Sequence, residues 1–451
     1  MQALEGKKLI NEIERQYDVM SIKWRGISVW PFLRMYLKES ITTKRENKMS
    51  ASNIGLVLKC LFAFNPLRAI IKHSIWVFTS CDVRKQLGDK MINSILGAFA
   101  TTNIDCLMIE KPLQGIGHYS KDKIEERNII SEAWLLMLFH IIEVFSRVVR
   151  FKLDNEDLLH QILHENSLDF NYRRYVRILN AQRIAIRLML TLTPKPKMVF
   201  IECPYTSMGY VWAFHEKKIK VIEMQHGSLN GNHLAYNANH YDKMLNPDVI
   251  CVYGTKEYIY LTEHKPQYAP EVKVTGMYML ELADSYFSKD IFINDRNKYN
   301  AVIIVSGQPS YEDSLACFID TVASEHKNIL FIYKPRHPRE DIHFTSDNVR
   351  LENGVNIYGF LKWADIHVTI TSTTCLEAQY FRTPTIFYNY ENLPATYYKE
   401  LLADEDWVSL VDNPYQFGEM IKAYEGHIFN FKEIFAHEHV KRLLAVVNDY
   451  M

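Results

Sequence analysis

The sequence predicts an α/β protein of two doubly wound domains that face each other across a cleft, with extra helices at the N-terminus. Three observations support this fold class. A chain of 451 residues is too long for one ordinary domain. Short apolar runs alternate with helical patterns, which is typical of parallel sheets covered by helices. A polar stretch near residue 290 separates two such series.

The first series predicts an N-terminal domain over residues 1–289. Apolar residues recur at helical spacing in the first forty residues, and a polar loop follows over residues 42–53. The runs SIWVFTS and IDCLMIE predict buried strands, and residues 123–192 predict long helices. Strands and helices then alternate from KMVFIECP through KVIEMQHGS and DVICVYG to EVKVTGMY.

The second series follows the polar segment SKDIFINDRNKYN and predicts a C-terminal domain over residues 290–430. Its predicted strands are AVIIVSG, NILFIYKPRHP, KWADIHVTITS and TPTIFYNY, with helices between them. Residues 431–451 predict a last helix that returns to the first domain. Ligands of such folds bind at the carboxyl ends of the strands, so the site is expected in the cleft between the domains.

The net charge of -1 conceals an uneven distribution along the chain. Residues 1–90 hold 16 Lys or Arg against 8 Asp or Glu, and the other residues hold 36 against 45. The basic region also contains Trp24, Trp30, Phe32 and the apolar run 56–64. That mixture suits an anionic membrane surface, although a solvated basic face over ordinary core helices has the same composition.

Cellular location is also constrained by the sequence. The most apolar stretch, residues 54–79, is interrupted by charged residues and a proline, so no segment is expected to span a bilayer. The polar start, with Glu5, Lys7 and Lys8, predicts no signal peptide. Seven scattered cysteines without a CxxC pair predict reduced core thiols, with neither a zinc site nor disulfides. We expect a cytoplasmic protein that is soluble or peripheral on the inner face of the cell membrane.

The first motif that can carry chemistry is EMQHGSLNG, residues 223–231, at the end of a predicted strand. His226 lies there beside glycines that let a substrate approach the backbone, which suits a general base or a phosphate contact. The alternative is a structural turn in which the histidine only binds a backbone carbonyl.

The second motif is YKPRHP, residues 333–338, directly after the predicted strand NILFI. It places Lys334, Arg336 and His337 in a loop stiffened by two prolines, which favours phosphate binding. A basic surface turn would have the same sequence pattern.

The third motif is TITSTTCLEAQYFRTP, residues 369–384. Ser372, Thr373 and Thr374 lie between a predicted strand and a predicted helix, where hydroxyl and amide groups converge on an anion. Glu377 follows one turn later and is placed to accept hydrogen bonds from a ribose. The alternative is an ordinary helix cap followed by a favoured first-turn glutamate.

The ordered set of these motifs resembles a broad bacterial group of glycosyltransferases. It comprises Gln225-His226-Gly227, Val274-Thr275-Gly276, the segment 334–338, and Ser372-Thr373-Thr374 with Glu377. The group includes capsule Kdo transferases, bacterial sialyl- and polysialyltransferases, and CDP-glycerol glycerophosphotransferases of teichoic acid synthesis. The resemblance covers about residues 195–425 and implies the GT-B fold, with two Rossmann-like domains, the first on the acceptor side and the second holding the nucleotide donor.

The resemblance implies roles for individual residues. His337, Ser372 and Thr373 would hold the donor phosphate, His226 would act as acid/base, and Gln225 and Gly227 would lie on the acceptor side. The complete donor set is expected to be Gly307, Lys334, Arg336, His337, Ser372, Thr373, Thr374 and Glu377. Glu223 or Asp313 would be the next candidates for the base. The Asp/Glu-Asp/Glu-Gly triplet of the sialyltransferases is missing, which argues against a sialyl donor.

The expected function is transfer of a sugar or polyol phosphate from a nucleotide-activated, cytidine-linked donor to a growing glycan or lipid-linked glycan. Capsule polysaccharide, O-antigen and other cell-envelope glycans are the expected products. Neither a metal nor another cofactor is expected, because the cationic loop can stabilise the departing phosphate and no DxD triplet occurs. Nucleic acid is not an expected partner. Two alternatives remain: a nucleotide-sugar 2-epimerase, and a non-catalytic glycan-assembly protein of the same fold.

Overall fold

The computed structural model divides the chain into two compact units, Met1–Tyr278 with Glu438–Met451, and Met279–His437. We call them the first and the second unit. The residues that the structure describes are 2–42, 55, 58–113, 115–227, 229, 231, 233–265, 267–354 and 356–451. The predicted loop at 42–53 therefore lies outside the described residues except for Thr42, as do the first two residues of the apolar run 56–64.

The helices are numbered in chain order. They are α1 (Gln2–Gln16), α2 (Trp30–Thr42), α3 (Ala98–Thr101), α4 (Ala133–Ser146), α5 (Glu156–Glu165), α6 (Tyr172–Leu192), α7 (Met208–Glu216), α8 (Thr255–Ile259), α9 (Tyr278–Tyr286), α10 (Glu312–Glu325), α11 (Ile357–Trp363), α12 (Thr374–Tyr380), α13 (Leu393–Tyr397), α14 (Lys399–Asp404), α15 (Pro414–Tyr424) and α16 (His439–Tyr450).

The strands are numbered in the same way. They are β1 (Lys23–Trp24), β2 (Ile27–Ser28), β3 (Ile75–Ser80), β4 (Arg84–Leu87), β5 (Lys90–Asn93), β6 (Cys106–Lys111), β7 (Ile129–Ser131), β8 (Met198–Ile201), β9 (Lys220–Met224), β10 (Val249–Val252), β11 (Glu271–Val274), β12 (Ala301–Ser306), β13 (Ile329–Lys334), β14 (Val349–Leu351), β15 (Ile366–Thr369), β16 (Thr385–Tyr388) and β17 (Val408–Val411).

The first unit is built on a seven-stranded parallel sheet with the order β11-β10-β9-β8-β3-β6-β7. Strands β3, β6, β8 and β9 are almost wholly buried, as the continuous apolar runs predict for a sheet covered on both faces. The chain leaves β3 in one direction through β6 and β7 and resumes on its other side at β8. The boundary between β3 and β8 is therefore the topological switch point of this sheet.

The N-terminal helices pack into their own apolar cluster against α5, α6 and α7. Trp30 and Phe32 are part of that cluster and are buried, and Trp30 donates to the buried Glu14 carboxylate at 3.0 Å. The expectation that these two residues face a membrane is therefore wrong. The apolar pattern of VWPFLRMYLKESI predicted an apolar side of α2 correctly, but the helices of the first unit cover that side.

Three local elements differ from the sequence prediction. The stretch 123–192 is not continuously helical, because β7 precedes α4 and an irregular segment separates α4 from α5. The hairpins β1–β2 and β4–β5 were not predicted. Each of these strands has two to four residues, which is too short for alternating hydrophobicity to be distinctive.

The second unit contains a six-stranded parallel sheet with the order β14-β13-β12-β15-β16-β17. In this sheet the chain starts at β12, proceeds outward through β13 and β14, and returns to the other side of β12 at β15. The switch point lies between β12 and β15. Both sheets are thus doubly wound, and the predicted pair of Rossmann-like α/β domains is confirmed.

The cysteines and the long helices agree with the sequence in part. All seven cysteines are free thiols; five are buried, whereas Cys203 is half-buried and Cys317 is exposed. Among the residues described, no helix combines the length and the apolar character needed to cross a bilayer.

Candidate functional site

The switch point of the second unit joins the end of β12 to the third predicted motif. Gln308 follows β12, and its side-chain oxygen accepts hydrogen bonds from the Thr371 amide at 2.7 Å and the Thr371 hydroxyl at 2.8 Å. The Thr369 hydroxyl donates to the Ser306 carbonyl at 3.0 Å. These bonds fasten the loop after β12 to the loop after β15, so the third motif begins at a rigid edge of the sheet.

The YKPRHP loop after β13 is anchored by Glu312, a buried carboxylate in the first turn of α10. Glu312 Oε1 accepts from the Arg336 amide at 2.8 Å, and Oε2 lies 3.3 Å from the Arg339 guanidinium. The Tyr333 hydroxyl donates to the Glu312 carbonyl at 2.9 Å. The backbone of the loop is thus fixed by hydrogen bonds to the neighbouring helix.

The side chains of the loop differ in how they are engaged. Those of Arg336 and His337 are exposed, and neither has a hydrogen bond or ion pair with any residue that the structure describes. Lys334 is half-buried and donates to the Asn353 carbonyl at 3.1 Å, and burial lowers its pKa. Arg339 is neutralised by Glu312, Asp313 and Asp341. Two cationic or donor groups therefore remain uncompensated on a fixed loop.

The third motif forms the start of α12. The Ser372 and Thr374 hydroxyls lie 2.7 Å apart, and Ser372 Oγ also accepts from the Thr374 amide at 3.3 Å. Thr374 is buried, Thr373 is exposed, and Glu377 is half-buried one turn along. The Tyr398 hydroxyl donates to the Thr371 carbonyl at 3.0 Å and holds this loop from the other side. The exposed groups at this point are those of Thr373 and, in part, Ser372.

Gly307 is a close-packing position at the end of β12. Its amide donates to the Lys334 carbonyl at 2.9 Å, which joins the ends of β12 and β13. A Cβ atom at this position would lie 3.0 Å from Glu312 Oε1 and 3.2 Å from the Tyr333 hydroxyl. A larger residue would therefore displace the carboxylate that anchors the cationic loop.

The switch point of the first unit is occupied by Glu202, which directly follows β8. Its Oε2 accepts from the Thr79 hydroxyl at 2.8 Å, and Asn93 donates to the same hydroxyl oxygen at 2.6 Å. Thr79 belongs to β3, so this hydrogen bond bridges the two strands that flank the switch point. Burial raises the pKa of Glu202 to about 8, although the Thr79 hydrogen bond opposes the shift. Glu202 therefore holds a proton at neutral pH.

His226 lies one strand further along, after β9. The Tyr205 hydroxyl lies 2.9 Å from its Nε2 and 3.5 Å from Nε2 of His233. Burial lowers the pKa of His226, and it lowers that of His233 to about 4. Both rings are therefore neutral at pH 7. Nδ1 of His226 is buried and has no hydrogen-bond partner among the described residues.

Other residues of the first motif support the backbone. Gln225 is buried, accepting from the Tyr253 amide at 2.7 Å and donating to the Gly227 carbonyl at 2.8 Å. Gly227 is exposed, whereas Ser228 and Asn230 of the motif lie outside the described residues. Glu223 is fully buried, and its two oxygens accept from the Tyr236 and Tyr268 hydroxyls. With both oxygens covered, Glu223 is a poor alternative for the base.

A separate cluster of titratable groups occurs at β6. Sγ of Cys81 and ligand atoms of Glu110 and His118 lie within 4.8 Å of one another. However, Glu110 binds the buried Arg84 guanidinium at 2.5 Å, and burial raises the pKa of the Cys81 thiol to about 12. A guanidinium beside a protonated thiol is the environment of a buried ion-pair network and is unfavourable for a metal ion.

Several residues of these edges could not be found by sequence reasoning. Glu202 lies within the run KMVFIECP and belongs to no recognisable motif, and Gln308, Glu312 and Arg339 act by tertiary hydrogen bonds. The only sequence signal is that each stands within a few residues of the carboxyl end of a predicted strand or in the first turn of the next helix.

Two doubly wound parallel sheets in one chain, each with polar residues at its switch point, define the GT-B class of folds. No protein-family model matches the chain, and no curated protein is similar to it in sequence.

Solved structures have a similar fold. The UDP-GlcNAc 2-epimerase of Methanocaldococcus jannaschii has a TM-score of 0.50 and 11% identity, covering 84% of this chain and 99% of the epimerase. The UDP-GlcNAc 2-epimerase of Neisseria meningitidis bound to UDP-GlcNAc has a TM-score of 0.48 and 14% identity, with 83% and 99% covered. A calicheamicin glycosyltransferase has a TM-score of 0.45 and 13% identity, with 84% and 94% covered.

Proposed function

We propose that this chain is an enzyme acting on nucleotide-activated sugars, and that its reaction is glycosyl transfer. One observation carries the proposal. The exposed side chains of Arg336 and His337 have no partner among the described residues, and they stand on a loop that Glu312 fixes, next to the switch point of a doubly wound sheet. Ligands bind at such points, and donors fixed before binding are what a departing phosphate requires.

The donor phosphate is assigned to Arg336 and His337, because charge-assisted hydrogen bonds to phosphate are the strongest that side chains make. Ser372 and Thr373 supply hydroxyls from the neighbouring loop, and Glu377 is the candidate for the ribose contact. Gly307 and Lys334 contribute by keeping the strand ends together and the edge positive. Because protein cations neutralise the phosphate in this scheme, the transfer requires no metal.

Proton transfer is assigned to the first unit. His226 is neutral at pH 7 because burial lowers its pKa, so a ring nitrogen can accept the proton of an acceptor hydroxyl. Tyr205, at 2.9 Å, orients the ring. Glu202 retains its proton at pH 7 and is the candidate for a general acid.

The finer details follow the motif resemblance alone. A cytidine-linked donor, a glycan or lipid-linked glycan acceptor, and a place in capsule or O-antigen assembly at the inner membrane face are all parts of the proposal. The non-catalytic alternative is disfavoured, because every residue of the expected donor set is present, and the side chains of Arg336 and His337 have no hydrogen bond or ion pair with the residues that the structure describes.

A second candidate function is 2-epimerisation of a nucleotide sugar. The likeness to the M. jannaschii UDP-GlcNAc 2-epimerase, which extends over 84% of this chain, favours it. The two functions are separable in one assay without acceptor. An epimerase converts UDP-GlcNAc to its 2-epimer, which proton NMR detects, whereas a transferase leaves the sugar configuration intact or releases free sugar slowly.

Nucleotide binding tests what both functions share. We expect one of CMP, CDP, UDP and GDP to raise the melting temperature, since a ligand at 100 times its Kd stabilises a protein by about 2.7 kcal/mol. Arg336→Ala should weaken binding of that nucleotide by about 10- to 150-fold, the value of a hydrogen bond to a charged group. Titration calorimetry measures both affinities.

Lys327→Ala is the matched control. Lys327 precedes β13, so it lies at the amino end of the strand whose carboxyl end carries Arg336, and it pairs only with the exposed Asp347 at 3.3 Å. The variant removes one positive charge at the opposite edge of the sheet and should leave the affinity for the nucleotide unchanged. Equal losses in the two variants would indicate a general charge effect, and the absence of binding by any nucleotide would refute the proposal.

A further inference from the structure

The C-terminal half of α4 and the turn after it present apolar side chains to solvent. The exposed fractions are 46% for Ile141, 53% for Val144, 71% for Phe145, 85% for Val148 and 60% for Val149. Spacings of three and four place these residues along one side of the helix, which we call the α4 stripe. A helix of a soluble domain normally turns such a stripe inward. In α4 the inward side is formed by Leu135, Leu138, Phe139 and Ile142, so the α4 stripe is a second apolar side that no core residue covers.

The exposed apolar surface continues on neighbouring segments of the first unit. Helix α6 packs against α4 and exposes Leu188 and Leu192, one turn apart. At the other end of α4, Trp134 donates to the Leu61 carbonyl at 2.8 Å, and the exposed Phe62 ring packs edge-on against Trp134. Single exposed apolar residues are ordinary, but a contiguous group of this extent marks an interaction surface.

Most of the exposed charges on the two segments that carry the stripe are positive. In residues 141–152 and 187–197 the only acidic residue is Glu143, which is buried. Arg187 is partly compensated by Glu216 at 3.5 Å, and Lys197 donates to the Met451 carbonyl. Arg147 pairs with Glu143, and three further exposed cations of these segments are Arg150, Lys152 and Lys195.

We propose that the α4 stripe docks this protein onto an anionic lipid bilayer. Apolar side chains that enter the headgroup region, flanked by arginine and lysine, are the elements of interfacial membrane binding. A protein partner fits less well, because lysine is depleted from protein interfaces and an acidic partner would have to match cations on two segments. In this proposal the residues that contact the membrane belong to the α4 stripe, and the buried Trp30 and Phe32 do not take part. The proposal does not depend on the proposed function, because lipid binding is measurable without substrate.

Sedimentation of the full-length protein with lipid vesicles tests the inference. Vesicles containing phosphatidylglycerol should bind the protein, and binding should decrease as salt rises, because the attraction is screened. Pure phosphatidylcholine vesicles should bind it much more weakly. Equal binding to both vesicle types, or binding to neither, would overturn the proposal.

Two double variants separate the apolar and the charged contributions. Phe145→Ser with Val148→Ser should reduce binding by about 100-fold, since each side chain loses the burial that the membrane provides. Arg150→Gln with Lys152→Gln should reduce it by about 25-fold, at about fivefold per cation. All four side chains are exposed, so both variants should retain the circular dichroism spectrum and melting temperature of the original chain.

Ile428→Ser is the control, because Ile428 is 91% exposed and belongs to the second unit. It should bind vesicles as the unmodified chain does. If the serine variant of the stripe binds vesicles normally, the stripe is not the docking surface. If it instead abolishes a concentration-dependent dimer seen by analytical ultracentrifugation, the surface joins two copies of this chain and the membrane proposal fails.

Discussion

The two switch points have the same topology and opposite chemistry. In the first unit the edge between β3 and β8 carries the buried Glu202, with the half-buried His226 one strand away, and burial shifts the pKa of both towards the neutral form. In the second unit the corresponding edge, between β12 and β15, lies beside a loop that presents Arg336 and His337 to solvent.

The difference shows how burial gives two similar sheet edges different chemical properties. Desolvation favours the neutral forms of Glu202 and His226, so these groups are suited to giving and taking protons near pH 7. Exposed Arg336 keeps a permanent charge, which suits it to holding an anion. The fold supplies two equivalent positions, and the local environment decides the chemistry of each.

The largest effect is expected from replacing His226, the proposed base, in the first unit. His226→Ala should lower turnover by about 10²- to 10⁴-fold, the usual contribution of a general base, while nucleotide affinity stays nearly constant. Arg336→Ala should instead lower nucleotide affinity and leave turnover nearly constant. Steady-state kinetics, with hydrolysis of the nucleotide sugar as the first assay, measure the turnover.

His226→Asn provides the sharper comparison, because an amide forms hydrogen bonds but cannot take up the proton. Activity should therefore stay low in that variant. Recovery of activity with asparagine would make His226 a positioning group. His343→Ala, which removes an exposed histidine of the second unit, is the control and should leave turnover unchanged.

A smaller effect, on stability, is expected when the YKPRHP loop loses its hydrogen bonds to Glu312. Glu312→Ala leaves the Arg336 amide and part of the Arg339 guanidinium without their acceptor, which costs about 1–3 kcal/mol of unfolding free energy. Chemical denaturation measures this loss. Asp313→Ala removes the adjacent but exposed carboxylate and should change stability by less than about 0.5 kcal/mol. Equal stability of the two variants would show that Glu312 does not anchor the loop.

The last effect concerns the pH dependence of stability. The pKa of Glu202 is raised to about 8 in the folded chain, so the folded state retains a proton that the unfolded state releases above about pH 4.3. Its contribution to stability is complete below the unfolded pKa and is lost as pH rises through about 8. Glu202→Gln keeps a neutral group and should flatten this decline. The melting temperatures of the unmodified chain and of Glu202→Gln at about pH 6 and about pH 9 test this prediction. Equal declines in the two proteins would count against a raised pKa of Glu202.

The sequence was sufficient for the class of fold. Buried strands such as β8 and β12 are continuous apolar runs, and helices follow them at regular intervals, so periodicity alone reveals two doubly wound sheets. The hairpin β4–β5 was not predicted, because its strands are short and apolar and polar side chains alternate little along them.

The candidate site was only partly accessible from the sequence. His226, Arg336 and His337 stand in short polar motifs after strands, and such positions are visible without a structure. Glu202 and Glu312 depend on partners 123 and 24 residues away, at Thr79 and Arg336, and no local pattern encodes such pairs. The α4 stripe shows the same limit, because helical spacing identifies an apolar side but not whether another element covers it.

The last helix has a consequence for biosynthesis. Helix α16 belongs to the first unit, where the His439 ring donates to the Thr275 carbonyl at 3.0 Å and Lys273 pairs with Asp449 at 3.0 Å. The whole second unit is therefore inserted between the body of the first unit and its closing helix. The ribosome translates residues 279–437 before α16. The second unit can therefore fold during synthesis before the first unit has received α16.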